Sequence, residues 1–354
     1  MMKIAYILPS LTKAGPNIVV HTLISNLVSS PEFKIGNIDV FYFDEKDNLL
    51  EFPCRTIKIT PDESIAFDDY DIIHSHGYRP DKYLYKFKNV IRKAKTVTTI
   101  HQDIYQYFAF AYNKIIASVF TPLWIRYIRS LDAAVPISGK VHSLYQKKLA
   151  NLKEKIYNGV DLCDTLSLDE NAALKISDLK NKGLQLVASY SNITRIKGLE
   201  QLIELAAARK DIGLVIIGEG KEKDNLIALA TKRNISDRVL FIPFLPEPYK
   251  YLKFVDIYAM PSRSEGFGLA LVEGVLSKTP VIASDIDIFH ELFTKNEISF
   301  FKLDDIQSLE EALNYATRNS RNLCDRAFRY AMDHYTGRVM ALNYYDLYAK
   351  ILNS

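Results

Sequence analysis

Short runs of β-branched and apolar residues alternate with longer stretches of helical periodicity along almost the whole chain. Parallel strands satisfy such an alternation when they hydrogen-bond into one sheet and the intervening helices cover both of its faces. In the first half, strand-like runs lie at 3–8, 38–43, 71–75, 96–100 and 133–137, and helical patterns lie near 16–29, 80–92, 105–129 and 139–149. A polar stretch of weak periodicity, entered through Asn158, Gly159, Val160 and Asp161, reads as a linker over 160–180. The pattern then restarts, with strands near 185–189, 214–217, 239–242, 256–260 and 280–283 and helices near 198–208, 221–233, 246–253 and 268–277. Helical stretches at 305–333 and 338–352 close the chain, the last carrying Tyr344, Tyr345 and Tyr348. At 354 residues the chain can bury two cores, and two doubly wound α/β units in series are expected. Open parallel sheets bind ligands beyond the carboxyl ends of their strands, so a shared cleft at those ends is the expected place for chemistry.

Composition narrows the class further. Lys and Arg exceed Asp and Glu by only three, which gives no bulk-charge reason for nucleic-acid binding. The signs are nevertheless segregated: residues 39–71 hold ten acids against three bases, and residues 78–129 hold ten bases against two acids. Twelve aromatic residues share the basic stretch, a mixture that suits an anionic bilayer surface, where each Lys or Arg contributes about 1 kcal/mol. An ordinary helix with solvated lysines and core aromatics has the same composition, and both readings stand. Cys54, Cys163 and Cys324 are odd in number and far apart, which suggests neither a disulfide framework nor a cysteine zinc site, and a reducing cytoplasm is expected. The most apolar stretch, 115–125, is bounded by Lys114 and Arg126 and interrupted by Pro122, so no transmembrane helix or secretion signal is expected.

The most informative segment runs from Pro261 through Ser262, Arg263, Ser264, Glu265, Gly266, Phe267, Gly268 and Leu269 to Glu273. It follows an apolar strand and opens a helix. Glycines there let a backbone approach a ligand, and the free amides at the helix start favour an anion such as a pyrophosphate. Glu265 and Glu273 should stand about 8–12 Å apart at the helical rise of about 1.5 Å per residue, too far to flank one bond as the acid and nucleophile of a retaining glycosidase do.

This Glu-x7-Glu segment, with Pro-Ser before it and Gly-Phe-Gly inside it, resembles the donor-site motif of retaining glycosyltransferases of the GT-B fold, family four. The resemblance implies two Rossmann-like domains facing a cleft: residues 1–165, joined by 337–354, would bind the acceptor, and residues 166–336 would bind a nucleotide sugar. It implies that Glu265 meets the transferred sugar and that Glu273 accepts hydrogen bonds from the ribose hydroxyls. Lys197 before Gly198 is similar to the family's Lys-Gly at the pyrophosphate, and Gly15 in Ala14-Gly15-Pro16 is similar to its glycine-rich turn. His101, after Thr99 and Ile100, matches the position where a histidine approaches the sugar. The family's second phosphate clamp is an arginine five residues before the lysine. Asn192 stands there in this chain, with Arg195 as the expected substitute and Arg263 as a weaker one. Gly266, Phe267, Gly268 and Leu269 complete the expected donor-binding set. His74 and His76 are expected on opposite faces of a strand, not converging on a metal, and no metal or other cofactor is expected.

The resemblance further implies same-face transfer of a hexose or N-acetylhexosamine, with UDP the first expectation for the nucleotide and GDP the second. The acceptor would be a glycan or a lipid-linked sugar in surface-polysaccharide assembly, handled in the cytoplasm at the inner face of the membrane. Three alternatives remain in view: a GT-B nucleotide-sugar epimerase or hydrolase, a catalytically silent membrane-associated scaffold, and a dinucleotide-dependent oxidoreductase. The last needs a Gly-x-Gly-x-x-Gly after a first strand, which neither unit has. Gly218 and Gly220, in Ile217-Gly218-Glu219-Gly220, and Asn158-Gly159 read equally well as ordinary turns. Where the family has adjacent glycines after Ala283, this chain has Ser284, Asp285, Ile286 and Asp287.

Overall fold

The apolar runs at 3–8 and 38–43 pair as the parallel strands β1 (Met2–Ser10) and β2 (Ile35–Asp44), around which the first unit is built. The computed structural model describes residues 1–47, 49–162 and 167–354. The chain divides into two units, Met1–Val160 with Tyr335–Ser354, and Asp161–His334. Cys163 and the expected boundary between 165 and 166 lie outside the described residues.

After β1 comes α1 (Gly15–Ser29), and after β2 come β3 (Arg55–Lys58), β4 (Ile72–His76), α2 (Tyr78–Phe87) and β5 (Lys95–Ile100). The unit continues through α3 (Ile104–Ala111), α4 (Lys114–Arg129), β6 (Ala133–Pro136) and α5 (Gly139–Tyr145). Its six strands lie in the order β3-β2-β1-β4-β5-β6, all neighbours parallel. The second unit runs α6 (Glu170–Lys180), β7 (Gln185–Tyr190), α7 (Glu200–Ala208), β8 (Ile212–Ile217), α8 (Lys223–Lys232), β9 (Val239–Ile242), β10 (Ile257–Met260) and α9 (Leu269–Leu276). It ends with β11 (Val281–Ser284), α10 (Asp287–Leu292), β12 (Ser299–Phe301), α11 (Ile306–Arg318) and α12 (Ser320–His334), before α13 (Gly337–Leu352) returns to the first unit. Its sheet order is β12-β11-β10-β7-β8-β9. Each unit is doubly wound outward from its first strand, which sets a switch point between β1 and β4 in one and between β7 and β10 in the other.

Several elements depart from the expected pattern for local reasons. The expected linker contains α6, whose Ala172, Ile176 and Leu179 recur at helical spacing and are buried, and whose start is capped by Asp169 accepting from the Ala172 amide at 2.8 Å. The expected helix over 105–129 is two helices, because Asn113 caps a new start by accepting from the Ile116 amide at 2.9 Å. Residues 305–333 likewise form α11 and α12, and 246–253 is replaced by the 3-10 turn Pro248–Phe254. The short edge strands β3 and β12 and the helix α10 carry too few residues for a periodic signal.

The segregated charges meet each other in the first unit. Arg79 pairs with Asp44 at 2.5 Å and Lys86 with Asp62, while buried Asp39 takes a bidentate pair at 2.9 Å from Arg55 of its own stretch. Asp68 accepts from the amides of Arg92 and Lys93 at 3.0 and 2.9 Å. Two side chains of the basic stretch, Arg79 and Lys86, are thus paired with carboxylates of the acidic one, and Lys114, Arg126 and Arg129 of α4 are exposed. The aromatics divide in the same way. Tyr78, Phe108, Phe120 and Trp124 pack ring against ring, whereas Tyr105, Tyr107, Phe110 and Tyr112 are exposed beside Ile115 and Val119. Buried Asp81 anchors α4 by accepting from Trp124 Nε1 and Ser75 Oγ, each at 2.6 Å, and burial pushes its carboxyl up to about 6. Among the described residues no helix is long and apolar enough to cross a membrane.

The Asn158-Gly159 turn fastens α13 to the first unit. The Gly159 amide points at Met340 Sδ 3.1 Å away, and the Val160 amide donates to the Tyr335 carbonyl at 2.8 Å. A Cβ on Gly159 would lie 2.6 Å from both Gly337 Cα and the Thr336 oxygen, so no side chain fits between these backbones. Gly159→Ala should lower unfolding free energy by about 1–3 kcal/mol in urea denaturation, the cost of overpacking a closed contact; an unchanged midpoint and slope would show that the return of α13 is not fixed there.

Candidate functional site

In the second unit the switch point gathers two loops. The loop after β7 carries Asn192, Arg195 and Lys197, and the loop after β10 carries residues 261–268 and runs into α9. They are bound together by backbone contacts: the Arg263 amide donates to the Ile196 carbonyl at 2.7 Å, and Gln201 Nε2 donates to both the Gly198 and Pro261 carbonyls at 3.1 Å. Gly198 has φ +62°, and a Cβ there would stand 2.2 Å from the Pro261 oxygen, so this close approach requires glycine.

Held by that contact, Lys197 Nζ reaches Glu265 Oε1 at 2.6 Å, and Ser262 Oγ donates to the same oxygen at 2.7 Å. Both side chains of the ion pair are mostly shielded from solvent. Gly266 is exposed and Phe267 is buried beneath it. Gly268, at φ +96°, precedes Leu269, the first residue of α9, whose opening amides have no partner within the helix. Glu273 lies one turn further along. Tyr190, the last residue of β7, donates to Glu273 Oε2 at 2.9 Å and stacks on buried Tyr258 with ring centroids 4.8 Å apart. Burial raises the Glu273 carboxyl above its ordinary value, and the Tyr190 hydrogen bond opposes that rise.

Asn192 and Arg195 are exposed on the same loop as Lys197. Arg263 is corrected from the expected reserve: its guanidinium is held by Glu200 and, at 2.7 and 2.8 Å, by Asp304. Gly218 packs the loop after β8 onto Ser191, whose carbonyl oxygen would lie 2.0 Å from an added Cβ, so that glycine serves packing of the loops. In the loop that lacks the family's glycines, His290 meets Asp285 and stacks on Phe300 with centroids 4.1 Å apart.

The first unit brings a second group of residues to the carboxyl ends of β4 and β5. The expectation that His74 and His76 point to opposite faces is wrong: residues i and i+2 of a strand share a face, and the two rings lie 4.2 Å apart. His74 is buried, with Nδ1 2.6 Å from the Tyr348 hydroxyl and Nε2 2.9 Å from Thr99 Oγ1. Thr99 Oγ1 in turn meets the Tyr344 hydroxyl at 2.7 Å, so α13 completes the network. His76 Nδ1 lies 3.0 Å from Nε2 of the half-buried His101. Burial holds His74 and His76 well below the ordinary imidazole range and pushes His101 down to about 4. Gly15 opens α1 after β1, on the other side of the switch point. Among the described residues no group of three or more His, Cys, Asp and Glu side chains has the arrangement of a metal site.

Tyr190 was not singled out from the sequence, because 83 residues separate it from Glu273 and only the sheet order joins them. A tyrosine closing a strand beside the switch point is the one local signal it gives. Tyr190→Phe removes the hydrogen bond that favours the Glu273 carboxylate. A carboxyl whose folded pKa exceeds its unfolded value of about 4.3 supports folding below both values, and that support is lost as pH rises through the window between them. The variant widens the window upward, so its stability should fall more than the unaltered chain's between acid and neutral pH in urea denaturation; parallel pH profiles would contradict the coupling.

Two family models match the two halves of the chain: Glycosyltransferase Family 4 over residues 10–163, and Glycosyl transferases group 1 over residues 171–334. The O-antigen biosynthesis glycosyltransferase WclY of Escherichia coli is 33% identical over 353 residues, covering 98% of each chain. A Campylobacter jejuni N-acetylgalactosamine-N,N'-diacetylbacillosaminyl-diphospho-undecaprenol 4-alpha-N-acetylgalactosaminyltransferase is 32% identical over 178 residues, 49% of this chain and 45% of its own. In fold, the chain is similar to Anabaena Alr3699/HepE solved with UDP and glucose, at a TM-score of 0.78 and 16% identity over 99% of this chain and 100% of that one.

Proposed function

The chain belongs to the glycosyltransferases, and from that premise we propose a retaining enzyme that moves a hexose or N-acetylhexosamine from a nucleotide sugar to a glycan or lipid-linked acceptor during surface-polysaccharide assembly. UDP is the nucleotide we favour and GDP the next. The observation that carries this reading is the fastening of the Lys197 loop to the Glu265 loop at the β7/β10 switch point, which gathers a cation, helix-start amides and two carboxylates at one strand end. In this proposal Glu273 accepts from the ribose hydroxyls, and Glu265 orients the sugar. Lys197, Arg195, Asn192 and the amides of residues 266–269 stabilise the charge that grows on the departing diphosphate. The donor's diphosphate competes with Glu265 for the Lys197 ammonium. His101 hydrogen-bonds the transferred sugar, Gly15 lies near the donor phosphate and the acceptor, and the acceptor hydroxyl attacks from the face the diphosphate leaves. No metal or other cofactor takes part. The lipid-linked acceptor is favoured because the Campylobacter relative's name includes a diphospho-undecaprenol.

A selective ligand raises apparent stability by mass action. In a thermal-shift panel of UDP, GDP, dTDP, ADP and NAD, one nucleoside diphosphate should raise the melting temperature. Glu273→Gln should weaken its binding about tenfold, a loss of about 1.4 kcal/mol. Stabilisation by NAD alone would overturn the reading, and a β-linked product from an α-linked donor would overturn retention.

We propose further that the exposed α3 and α4 face rests on an anionic membrane at the cytoplasmic face, since Tyr105, Tyr107, Phe110, Tyr112, Ile115 and Val119 stand there with Lys114, Arg126 and Arg129. In vesicle sedimentation the protein should bind phosphatidylglycerol-containing vesicles and leave phosphatidylcholine ones. Phe110→Ser with Ile115→Ser should abolish that binding, and equal binding by the double variant would remove this face from contact with lipid.

A further inference from the structure

His76 is 2% exposed, and its Nε2 has no hydrogen-bond partner among the described residues. Its other nitrogen, Nδ1, lies 3.0 Å from His101 Nε2, so one proton sits between the two rings when both are neutral. Two arrangements are open to that proton. If His101 donates from Nε2, His76 must carry its own proton on Nε2 and leave an N–H buried without an acceptor, a costly arrangement. If His76 donates from Nδ1, the unpartnered Nε2 is only a bare lone pair, packed beside the His74 ring at 4.2 Å and the Tyr6 ring at 6.1 Å. Each arrangement leaves the one atom unpartnered, and a bare lone pair there is the less costly of the two.

We propose that His76 is a positioning residue for His101: its Nδ1–H donates to His101 Nε2 and holds that imidazole in the tautomer that carries its proton on Nδ1. His101 then offers an uncharged N–H donor to a substrate oxygen and keeps no lone pair for taking up a proton. The low imidazole pKa values at both rings agree, because a shared positive charge would suffer the same burial. The buried His76 ring is held in place: His74 packs behind it with ring centroids 4.2 Å apart, and His74 is itself fixed on both nitrogens by Tyr348 and Thr99. This proposal rests on the reading above in which His101 touches the transferred sugar.

Long-range proton–nitrogen correlation spectra of the full chain labelled with nitrogen-15 histidine decide the tautomer directly. His101 Nε2 should read as unprotonated and Nδ1 as protonated; the reverse assignment in the unaltered chain overturns the proposal. His76→Leu should lose that preference and lower kcat about tenfold with KM for the nucleotide sugar little changed, since only the orientation of a transition-state contact is lost. His76→Asn, whose amide donates from near the Nδ1 position, should restore both. Turnover is read as nucleoside diphosphate release from a panel of UDP-glucose, UDP-galactose, their N-acetyl counterparts and GDP-mannose. His101→Ala separates the two possible failures. If it is as active as the unaltered chain, His101 has no part in the reaction and the proposal falls with that reading. If it is inactive while His76→Leu keeps both tautomer and rate, the proposal alone is overturned. The spectrum of the unaltered chain already tests the tautomer, so a variant that fails to fold does not shield the claim.

Discussion

The contact between the Gly198 turn and the Pro261 carbonyl sets the geometry of the second unit's site. Two loops that leave neighbouring strands of a parallel sheet normally diverge, each toward its own helix. Here they are drawn together by the Arg263 amide on Ile196 and by Gln201 bridging both carbonyls, and a residue without a Cβ is the only one that fits at 198. Gln201 also accepts from the Asp304 amide at 2.8 Å, which ties the same point to the start of the segment leading into α11. Lys197 is thus delivered to Glu265 by backbone geometry.

The first unit reaches a similar end by a different device. Its site residues stand on strand ends and are ordered by a buried polar chain that runs from Tyr6 and Tyr348 through His74 to Thr99 and Tyr344. Two of those hydroxyls come from α13, so the last helix supplies partners that the strands cannot supply to each other. A buried imidazole without such partners would pay for its desolvation, and the return of the chain at Gly159 is what brings them.

Much of this was legible in the sequence. The alternation of strand and helix patterns located ten of the twelve strands among the described residues and the doubly wound class, because fully buried parallel strands must be apolar along their length. The Glu-x7-Glu segment with its glycines marked the loop that the structure sets at the switch point. What was missed depends on contacts distant in sequence or on short elements. Tyr190 meets Glu273 only through the order of β7 and β10. Arg263 looked available until Glu200 and Asp304 were seen around it, and α6 was hidden in a polar stretch whose three buried residues are spread over two turns. The misplacement of His74 and His76 was an error of strand parity, since a period of two puts them on one face. The charge segregation was correctly counted, yet half of its meaning is internal: Asp44 and Asp62 answer Arg79 and Lys86 within the fold.

The central claim is that the β7/β10 switch point holds a nucleoside diphosphate, and a crystal structure of the protein soaked with UDP tests it most directly. The account predicts the ribose hydroxyls within hydrogen-bonding distance of the Glu273 carboxylate, and the diphosphate against Lys197 and the first amides of α9. A nucleotide bound elsewhere in well-defined density, with Lys197 still paired to Glu265 and Glu273 still engaged only by Tyr190, would contradict it.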